Sequence, residues 1–252
     1  MSWAISEFMR IPRLYVSTAL AENKNFSLPS EAVNYLGKVL RLAVGHKITL
    51  FNENDGEFIS TVVFREKRKL EVEIGAKVAA PEDLALKVHL FLCFSKGERM
   101  DYAVQKATEL GVSQITPVFS ENCDVKLKLD RIENKLRHFR KVAIGACEQS
   151  GRVGVPRINC AMNLTDVWRR TSNQVAETIV LDPCGEKVFS DFSNLKRVEI
   201  LVGPEGGFLS AELSEAKACG ASLLSLGPRV LRAETAPIVA LSLLQYLHGD
   251  VG

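Results

Sequence analysis

Two glycine-rich loops, each directly after an apolar run, constrain the fold of this chain more than any other feature. Residues 201–208 read LVGPEGGF and overlap the apolar run 197–202, while residues 226–236 read LGPRVLRAETA and follow the run 221–226. Glycine lets a backbone turn at positive φ and lets a ligand lie against bare peptide groups. Two such loops, about one βα unit apart, are expected side by side at the carboxyl edge of a parallel sheet, where open α/β folds bind ligands.

From residue 86 onward, strand-like runs alternate with helical patterns, which predicts an α/β domain with a mostly parallel sheet. The predicted strands cover residues 88–94, 115–119, 175–181, 198–202 and 222–226. The predicted helices cover residues 97–110, 132–146 and 234–247. No Rossmann GxGxxG follows an early strand, which argues against a conventional methyltransferase or dehydrogenase.

Residues 9–79 have the pattern of a small β-rich unit, and a compact barrel fits it. The pattern predicts strands at 12–16, 47–51, 58–64 and 70–78, and a helix at 29–42. Asn54, Asp55 and Gly56 form a strong hairpin-turn signal between two of these strands. The short, proline-containing segment 80–83 is the expected boundary with the α/β domain.

The composition, 46% hydrophobic and 25% charged over 252 residues, is that of an ordinary soluble protein. No apolar run approaches the roughly 20 residues that cross a bilayer, and the first ten residues lack the pattern of a signal peptide. We therefore expect neither membrane insertion nor secretion. The six cysteines and four histidines are scattered without a CxxC, which predicts free buried thiols and no metal site.

Basic side chains crowd one segment although the net charge is only +2. A solvated helix face and an RNA-contacting face both remain open for this segment. The side chains are Lys126, Lys128, Arg131, Lys135, Arg137, Arg140 and Lys141.

Charged residues in the second glycine loop suggest a binding site. Arg229 and Arg232 flank an apolar pair, where a guanidinium can reach a phosphate or an anionic base in bidentate fashion. Glu234 and Thr235 begin the last helix, so ordinary helix-start preferences explain them as well as a site does.

Residues 203–212 and 226–236 resemble the paired cofactor loops of the SPOUT methyltransferases. Further motifs at 9–15, 39–41, 95–100, 106–111 and 146–152 resemble one branch, the RsmE family, which methylates N3 of a uridine in 16S ribosomal RNA. The resemblance covers roughly residues 9–250. Residues 1–8 precede it, and we assign them no role.

The resemblance implies an α/β fold: a C-terminal SPOUT α/β-knot methyltransferase domain at 84–252, with a mostly parallel sheet, plus a small N-terminal PUA-like β-barrel at 1–79 that binds RNA. It also implies S-adenosyl-L-methionine as cofactor and a cytoplasmic enzyme of ribosome biogenesis. The expected partner is 16S rRNA within an assembled or nearly assembled 30S subunit. We expect a homodimer, because Leu213, Ile238, Leu241 and Leu244 would form an exposed apolar face that a twofold pair can bury.

The resemblance also implies roles for individual residues. The implied cofactor-binding residues are Leu181, Leu201, Gly203, Glu205, Gly207, Leu226, Gly227, Leu231, Thr235 and Ala236. The implied RNA-binding residues are Arg13, Arg41, Lys96, Arg99, Lys106, Gln149, Arg152 and Arg229. Arg232 is our first choice to stabilise charge that develops on the uracil, and Glu148 and Glu234 are both candidates for the base that takes the N3 proton.

Two other functions remain open from the sequence. A SPOUT 2′-O-ribose methyltransferase would share the cofactor loops, although residues 232–235 and the N-terminal motifs favour the base. A non-enzymatic RNA-binding or assembly protein would use the barrel alone. The exact target nucleotide, the assembly stage and the identity of the base do not follow from the sequence.

Overall fold

The computed structural model describes residues 11–34, 36–37, 40–81, 83–123, 129–171 and 176–251. The chain divides into two compact units. The first unit contains Met1–Asp83 and Cys147–Val155, and the second contains Leu84–Ala146 and Pro156–Gly252.

The first unit is built on a five-stranded sheet. Its strands are β1 (Arg13–Tyr15), β2 (Asn25–Ser27), β3 (Lys47–Asn52), β4 (Gly56–Arg65) and β5 (Leu70–Ala79), in the spatial order β1-β3-β4-β5-β2. β1 pairs with β3 in parallel, and the other pairs are antiparallel. The predicted hairpin turn is confirmed, because Asn52 pairs with Gly56, whose φ of 95° suits glycine. Ile48, Leu50 and Val62 are fully buried in its core.

The predicted helix at 29–42 is described in part. Helix α1 covers Ser30–Asn34, residues 36–37 form a π-helical turn, and the helical conformation does not reach Arg41, which has a φ of 52°. Arg65 on β4 donates hydrogen bonds to the carbonyls of Gly37 and Leu42. Tyr35, Lys38 and Val39 lie outside the described residues. Strand β2 was not predicted.

The second unit contains a sheet in which every described strand pair is parallel, as the sequence predicts. Its spatial order is β12-β10-β11-β6-β7-β8, and β9 also pairs with β7. The strands are β6 (Lys87–Cys93), β7 (Gln114–Phe119), β8 (Arg157–Ile158), β9 (Met162–Asn163), β10 (Glu177–Leu181), β11 (Arg197–Val202) and β12 (Ser222–Leu224). Val88, Leu90 and Phe91 on β6 are fully buried, as expected for a strand covered on both faces.

Five helices accompany this sheet among the described residues. They are α2 (Arg99–Glu109), α3 (Leu129–Ser150), α4 (Leu164–Thr171), α5 (Ser210–Ala218) and α6 (Thr235–His248). A short 3₁₀ helix covers Phe189–Asp191. Within the described part of the chain, no helix combines the length and the apolar character that a bilayer crossing needs. Helix α2 ends at Glu109, Gly111 follows it with a φ of 80°, and the amide Nε2 of Gln245 on α6 donates to the carbonyl of Leu110 at 3.0 Å.

The prediction of which apolar side chains of the last helix are exposed, on which the predicted dimer depends, is wrong. Leu241 and Leu244 are fully buried within the single chain, because α6 packs against α2 and β11. The exposed apolar side chains of α6 are instead Leu243, Tyr246 and Leu247.

Candidate functional site

A cleft of about 460 Å³ opens at the carboxyl ends of three neighbouring strands. Leu181, Val202 and Leu224, which end β10, β11 and β12, contribute to its wall. The two glycine loops complete the wall, together with Arg99 at the start of α2. Clefts of this size are typical of small-molecule sites. Because β10 lies between β11 and β12, the two loops flank the end of β10 rather than lie side by side.

Most of the predicted cofactor residues line this cleft. They are Leu181, Gly203, Glu205, Gly207, Leu226, Gly227, Leu231 and Ala236. Leu201 does not line the cleft, because its side chain is fully buried in the core cluster that contains Phe91 and Val180. Thr235 is also absent from the wall, and its amide donates to the carbonyl of Arg232 at 2.9 Å in the first turn of α6.

The sequence reasoning missed wall residues that carry no glycine signal. Asp182 and Pro183 follow β10, and Val202 and Phe208 flank the first glycine loop. A parallel strand predicted at 175–181 was the available signal, because its carboxyl end must also reach this edge of the sheet.

Two glycines leave open space where a side chain would stand. Gly207 has a φ of 67° and Gly227 a φ of 103°, and a Cβ added at either would have no described atom within 4 Å. Both line the cleft, so a ligand can approach their backbone closely. Gly203 differs, because its added Cβ would meet the ring of Phe208 at 3.0 Å.

An arginine and a glutamate lie close together where the second glycine loop meets α6. Arg232 Nη1 lies 4.0 Å from Glu234 Oε1, and the side chains are 80% and 15% exposed, respectively. The second carboxylate oxygen of Glu234 is buried and has no hydrogen-bond partner among the described residues. A buried acceptor without a partner is costly, and Glu234 is also one of the residues that line the cleft.

Glu205 ties the first glycine loop to the segment before α2. Its Oε1 accepts hydrogen bonds from Arg99 Nη1 at 2.6 Å and from the amide of Lys96 at 3.3 Å. Arg99 and the exposed Arg229, both predicted to bind RNA, line the cleft. Lys106, also predicted to bind RNA, pairs with Glu109 on the same helix at 2.8 Å.

A third loop, residues 120–123 after β7, holds the first glycine loop from another side. Asn122 Nδ2 donates to the carbonyls of Gly206 and Gly207 at 3.1 and 3.2 Å. The amide of Glu121 donates to Glu212 Oε1 at 3.0 Å, and Glu212 Oε2 accepts from the amide of Leu209 at 2.7 Å. These bonds fix the backbone of the glycine loop to its neighbours.

Several other predicted site residues belong to the first unit. Arg13 forms an ion pair with Glu57, donates to the carbonyl of Arg152 at 3.0 Å and lies over the ring of Phe51. Only 14% of its side chain is exposed, so Arg13 serves an internal network rather than a free basic surface. Arg41 and Gln149, in contrast, are exposed.

The candidate base Glu148 lies in this network of the first unit. Its Oε1 accepts a hydrogen bond from the amide of Tyr15 at 3.0 Å. Burial raises the pKa of the Glu148 carboxyl above its ordinary value, while the Tyr15 amide and the charge of Arg13 work in the opposite direction.

The basic segment lies largely on α3. Arg131, Arg137, Arg140 and Lys141 are exposed, and Lys135 Nζ lies 5.7 Å from the ring centre of Phe139. Lys126 and Lys128 lie outside the described residues. Within the described ranges, no cluster of His, Cys, Asp or Glu is arranged to hold a metal ion. All six cysteines are free, although Cys160 and Cys184 are exposed rather than buried.

Comparison with known proteins assigns a class to this architecture. The model for an RNA methyltransferase domain matches residues 82–245, and the model for an RNA methyltransferase PUA domain matches residues 28–75. The fold and the cleft therefore define a two-part RNA methyltransferase, with a PUA domain and a parallel α/β domain.

Individual relatives narrow the class to one family. The ribosomal RNA small subunit methyltransferase E of Buchnera aphidicola from Schizaphis graminum is 34% identical, over 96% of this chain and 98% of its own. The protein of the same name from Rickettsia conorii is 31% identical over 95% and 97%. The Neisseria gonorrhoeae enzyme, solved with bound S-adenosyl methionine, superposes with a TM-score of 0.87 at 31% identity, covering 96% of this chain and 100% of that one. The chain belongs to the ribosomal RNA small subunit methyltransferase E family.

Proposed function

We propose that this chain transfers the methyl group of S-adenosylmethionine to N3 of a uridine in 16S rRNA of the small ribosomal subunit. The observation that carries the proposal is the cleft formed by both glycine loops, with an unpartnered Glu234 oxygen and the accessible guanidinium of Arg232 at one end. The family membership supports the same reaction, since the quoted relatives are named for small subunit rRNA.

The cleft suits the proposed cofactor. Backbone groups at Gly207 and Gly227 can lie against an adenosine without intervening side chains, and Leu226 and Leu231 offer apolar contact. When bound, S-adenosylmethionine supplies a methyl group on a positively charged sulfur. Around these loops we also propose the trefoil knot of the SPOUT fold, supported by β10 lying between two strands that follow it in the chain.

The residues of the chain must handle the proton and the charge of the uracil. The N3 proton has to leave, and Glu234 Oε2 is the buried acceptor in the cleft wall. Negative charge then develops on O2 and O4, where Arg232 can donate hydrogen bonds. Glu148 remains the second candidate for the base, because its pKa is raised by burial.

The RNA must present an unpaired uridine, because N3 is buried in a base pair. We propose residues 1–79 as an RNA-binding domain and residues 84–252 as the methyltransferase domain. The exposed arginines Arg41, Arg99 and Arg229, with Lys96, Gln149 and Arg152, are the proposed RNA contacts. Arg13 and Lys106 are weaker candidates, because both are engaged by carboxylates.

We also propose a homodimer that acts in the cytoplasm on 30S subunits. Support for the dimer comes from the outer face of α6, where Leu243, Tyr246 and Leu247 are 39%, 68% and 46% exposed. Apolar side chains grouped in this way are typical of an interface. The cytoplasmic location follows from the proposed substrate.

The two alternatives are not favoured. An RNA-binding protein without activity would have no use for the cleft, and the methyltransferase model matches residues 82–245. A ribose 2′-O-methyltransferase would be expected to resemble enzymes of that kind along its length, whereas the relatives quoted above are ribosomal RNA small subunit methyltransferases E over 95% or more of the chain.

One assay tests the proposed reaction directly. Tritium transfer from labelled S-adenosylmethionine is measured on free 16S rRNA, 30S subunits and 70S ribosomes, and mass spectrometry of the digested RNA locates the methyl group. We expect incorporation into 30S subunits and a methyl group that stays with the base on fragmentation. A methyl group that stays with the ribose, or no transfer to any substrate, would contradict the proposal.

A further inference from the structure

Two cysteines, Cys93 and Cys123, pack together at the third loop of the second unit. Neither has a role in the proposed reaction. Cys93 ends β6 and is 1% exposed, and its register partner on β7 is Val118. Cys123 Sγ lies 3.8 Å from the carbonyl oxygen of Val118, so the loop folds back over the end of β6. Cys123 is partly buried and packs against the core cluster that contains Cys93.

The surroundings make Cys123 the more reactive thiol of the pair. The hydrogen bond from Cys93, and those from the hydroxyl and the amide of Ser120 at 3.3 and 3.4 Å, lower the pKa of Cys123 to about 6, although burial opposes them. Burial raises the pKa of Cys93 well above its ordinary value. The thiolate is the nucleophile in thiol chemistry, and Cys123 is only partly buried, so a small reagent can reach it.

The residue next to Cys123 connects this pair to the glycine loop. Asn122 donates to the carbonyls of Gly206 and Gly207, and an added Cβ at Gly206 would lie 3.2 Å from the Asn122 Cβ. The two segments are therefore bonded and tightly packed. A displacement of Cys123 toward Cys93 pulls on the backbone that carries both amide hydrogen bonds.

We propose that Cys93 and Cys123 form a peroxide-sensitive thiol pair, whose disulfide withdraws Asn122 from the first glycine loop and weakens binding of S-adenosylmethionine. The effect on the cofactor rests on the function proposed above. The oxidation itself rests on the packing of Cys123 against the cluster that contains Cys93 and on the hydrogen bonds between Cys123 and Ser120.

The chemistry needs one peroxide for each disulfide. The Cys123 thiolate attacks a peroxide oxygen, which forms an S–O bond and breaks the O–O bond, and the released hydroxide takes a proton to become water. The Cys93 thiol then loses its proton, and its sulfur attacks the Cys123 sulfur, which forms the S–S bond and releases a second hydroxide as water. Two thiols and one hydrogen peroxide give one disulfide and two waters.

The first experiment tests the reactivity of the thiol. The full chain is reduced and treated briefly with iodoacetamide between pH 5 and 8, and each cysteine peptide is quantified by mass spectrometry. We expect labelling of Cys123 to be half-maximal near pH 6, because its pKa is lowered to about 6. The exposed Cys160 and Cys184 serve as internal references. Labelling of Cys123 that rises only at the pH at which these two react would overturn the proposal.

The second experiment tests the coupling to the cofactor loop. Affinity for S-adenosylmethionine is measured by calorimetry before peroxide, after peroxide and after dithiothreitol. We expect a loss of about tenfold, the scale of two weakened hydrogen bonds, which the reductant reverses. Cys123→Ser should not respond, whereas Cys160→Ser, which changes an exposed cysteine, should respond like the unmodified chain. Asn122→Ala should lose affinity similarly without oxidation.

Amide hydrogen exchange separates this inference from the proposed function. Residues 203–207 should exchange faster in the oxidised chain than in the reduced chain, whether or not cofactor is added. A reduced chain that fails to bind S-adenosylmethionine contradicts the proposed function, and the exchange measurement then decides the present inference. The inference is overturned if no Cys93–Cys123 disulfide is found after peroxide, or if the disulfide forms and neither affinity nor exchange changes.

Discussion

At the scale of single residues, the two charged side chains near the start of α6 differ in their exposure to solvent. Arg232 extends an 80% exposed side chain, while Glu234 keeps one carboxylate oxygen buried and unpartnered. An exposed guanidinium can follow a flexible RNA base, whereas a buried carboxylate is held in place. This difference in exposure fits the two roles proposed for them, charge stabilisation for Arg232 and proton acceptance for Glu234.

Replacing Arg232 should separate chemistry from binding. Arg232→Ala is expected to lower the methyl-transfer rate by about 10²–10³, the usual cost of one donor to a developing anion, with smaller effects on cofactor and RNA affinity. Lys135→Ala on α3 is the matched control, because a lost phosphate contact weakens RNA binding and its salt dependence. Single-turnover kinetics on 30S subunits give both quantities. If Arg232→Ala keeps its saturated rate, the electrostatic role passes to Arg229 or Arg99.

Glu148 should make stability depend on pH in a predictable direction. Because its pKa is raised in the folded chain, the folded state holds the proton more tightly than the unfolded state. The free energy of unfolding should thus fall as the pH rises from about 4.5, the ordinary pKa of a glutamate, through the higher pKa of Glu148 in the folded chain. Glu148→Gln keeps an oxygen for the Tyr15 amide and should be more stable than the parent at pH 7, with little difference at pH 4. Urea titrations at the two pH values check this, and an equal difference at both would contradict it.

The positions of single residues were predictable from the sequence where backbone geometry decides them. The cleft glycines were identified because a strand must turn there, whereas the inward direction of Leu201 depends on the side-chain alternation of one strand. The engagement of Arg13 by Glu57 joins residues 44 positions apart, and no local pattern reports such a pairing. The meeting of Cys93 and Cys123 was hidden in the same way.

At the scale of the elements, the glycine loops determine whether a ligand fits. Gly207→Val should abolish binding of S-adenosylmethionine, because valine is strained at a φ of 67° and its side chain would fill the open space in the cleft. Calorimetry measures the affinity, and circular dichroism reports whether the chain still folds. An unchanged affinity in a folded variant would remove this loop from the cofactor site.

The junction between α2 and α6 offers a test of the packing around Gly111. An added Cβ there would lie 2.5 Å from Gln245 Nε2, and the φ of 80° disfavours any side chain. Gly111→Ala is therefore expected to destabilise the chain by roughly 1–3 kcal/mol. Gly145→Ala is the control, since Gly145 lies within α3 with open space around it and should gain about 0.4–1 kcal/mol. Denaturant unfolding compares the two, and equal effects would refute the packing argument.

The elements themselves were largely predictable, and the exceptions share a physical cause. Long apolar runs such as β6 and the helical periodicity of α6 specify their own structure. The strands β2, β8 and β9 have only two or three residues each, so they exist through pairing with distant strands. Arg65 on β4 binds the carbonyls of Gly37 and Leu42 at the end of the predicted helix 29–42, which is a tertiary contact that no local pattern reports.

At the scale of the whole molecule, the buried face of α6 changes the argument for a dimer. The exposed apolar residues are Leu243, Tyr246 and Leu247 rather than those predicted from periodicity. Periodicity identifies apolar stripes on a helix, but it does not show which stripe packs inside the same chain. Sedimentation at micromolar concentration should give twice the chain mass of 27.8 kDa. Tyr246→Glu should shift the equilibrium toward the monomer, and a parent chain that already sediments as a monomer would refute the dimer.

The order of strands in the second unit also determines when, during translation, the sheet and the cleft can form. Strand β6 pairs with β11 in one continuous register from Lys87↔Arg197 to Leu92↔Val202, so its partner is translated about a hundred residues later. Apart from Arg99, every cleft residue lies between positions 181 and 236. While the ribosome is still translating this stretch, the nascent chain can fold its first sheet but has no place for a cofactor. A chain that stops before residue 236 therefore lacks part of the cleft wall, which is complete only after translation has passed that residue.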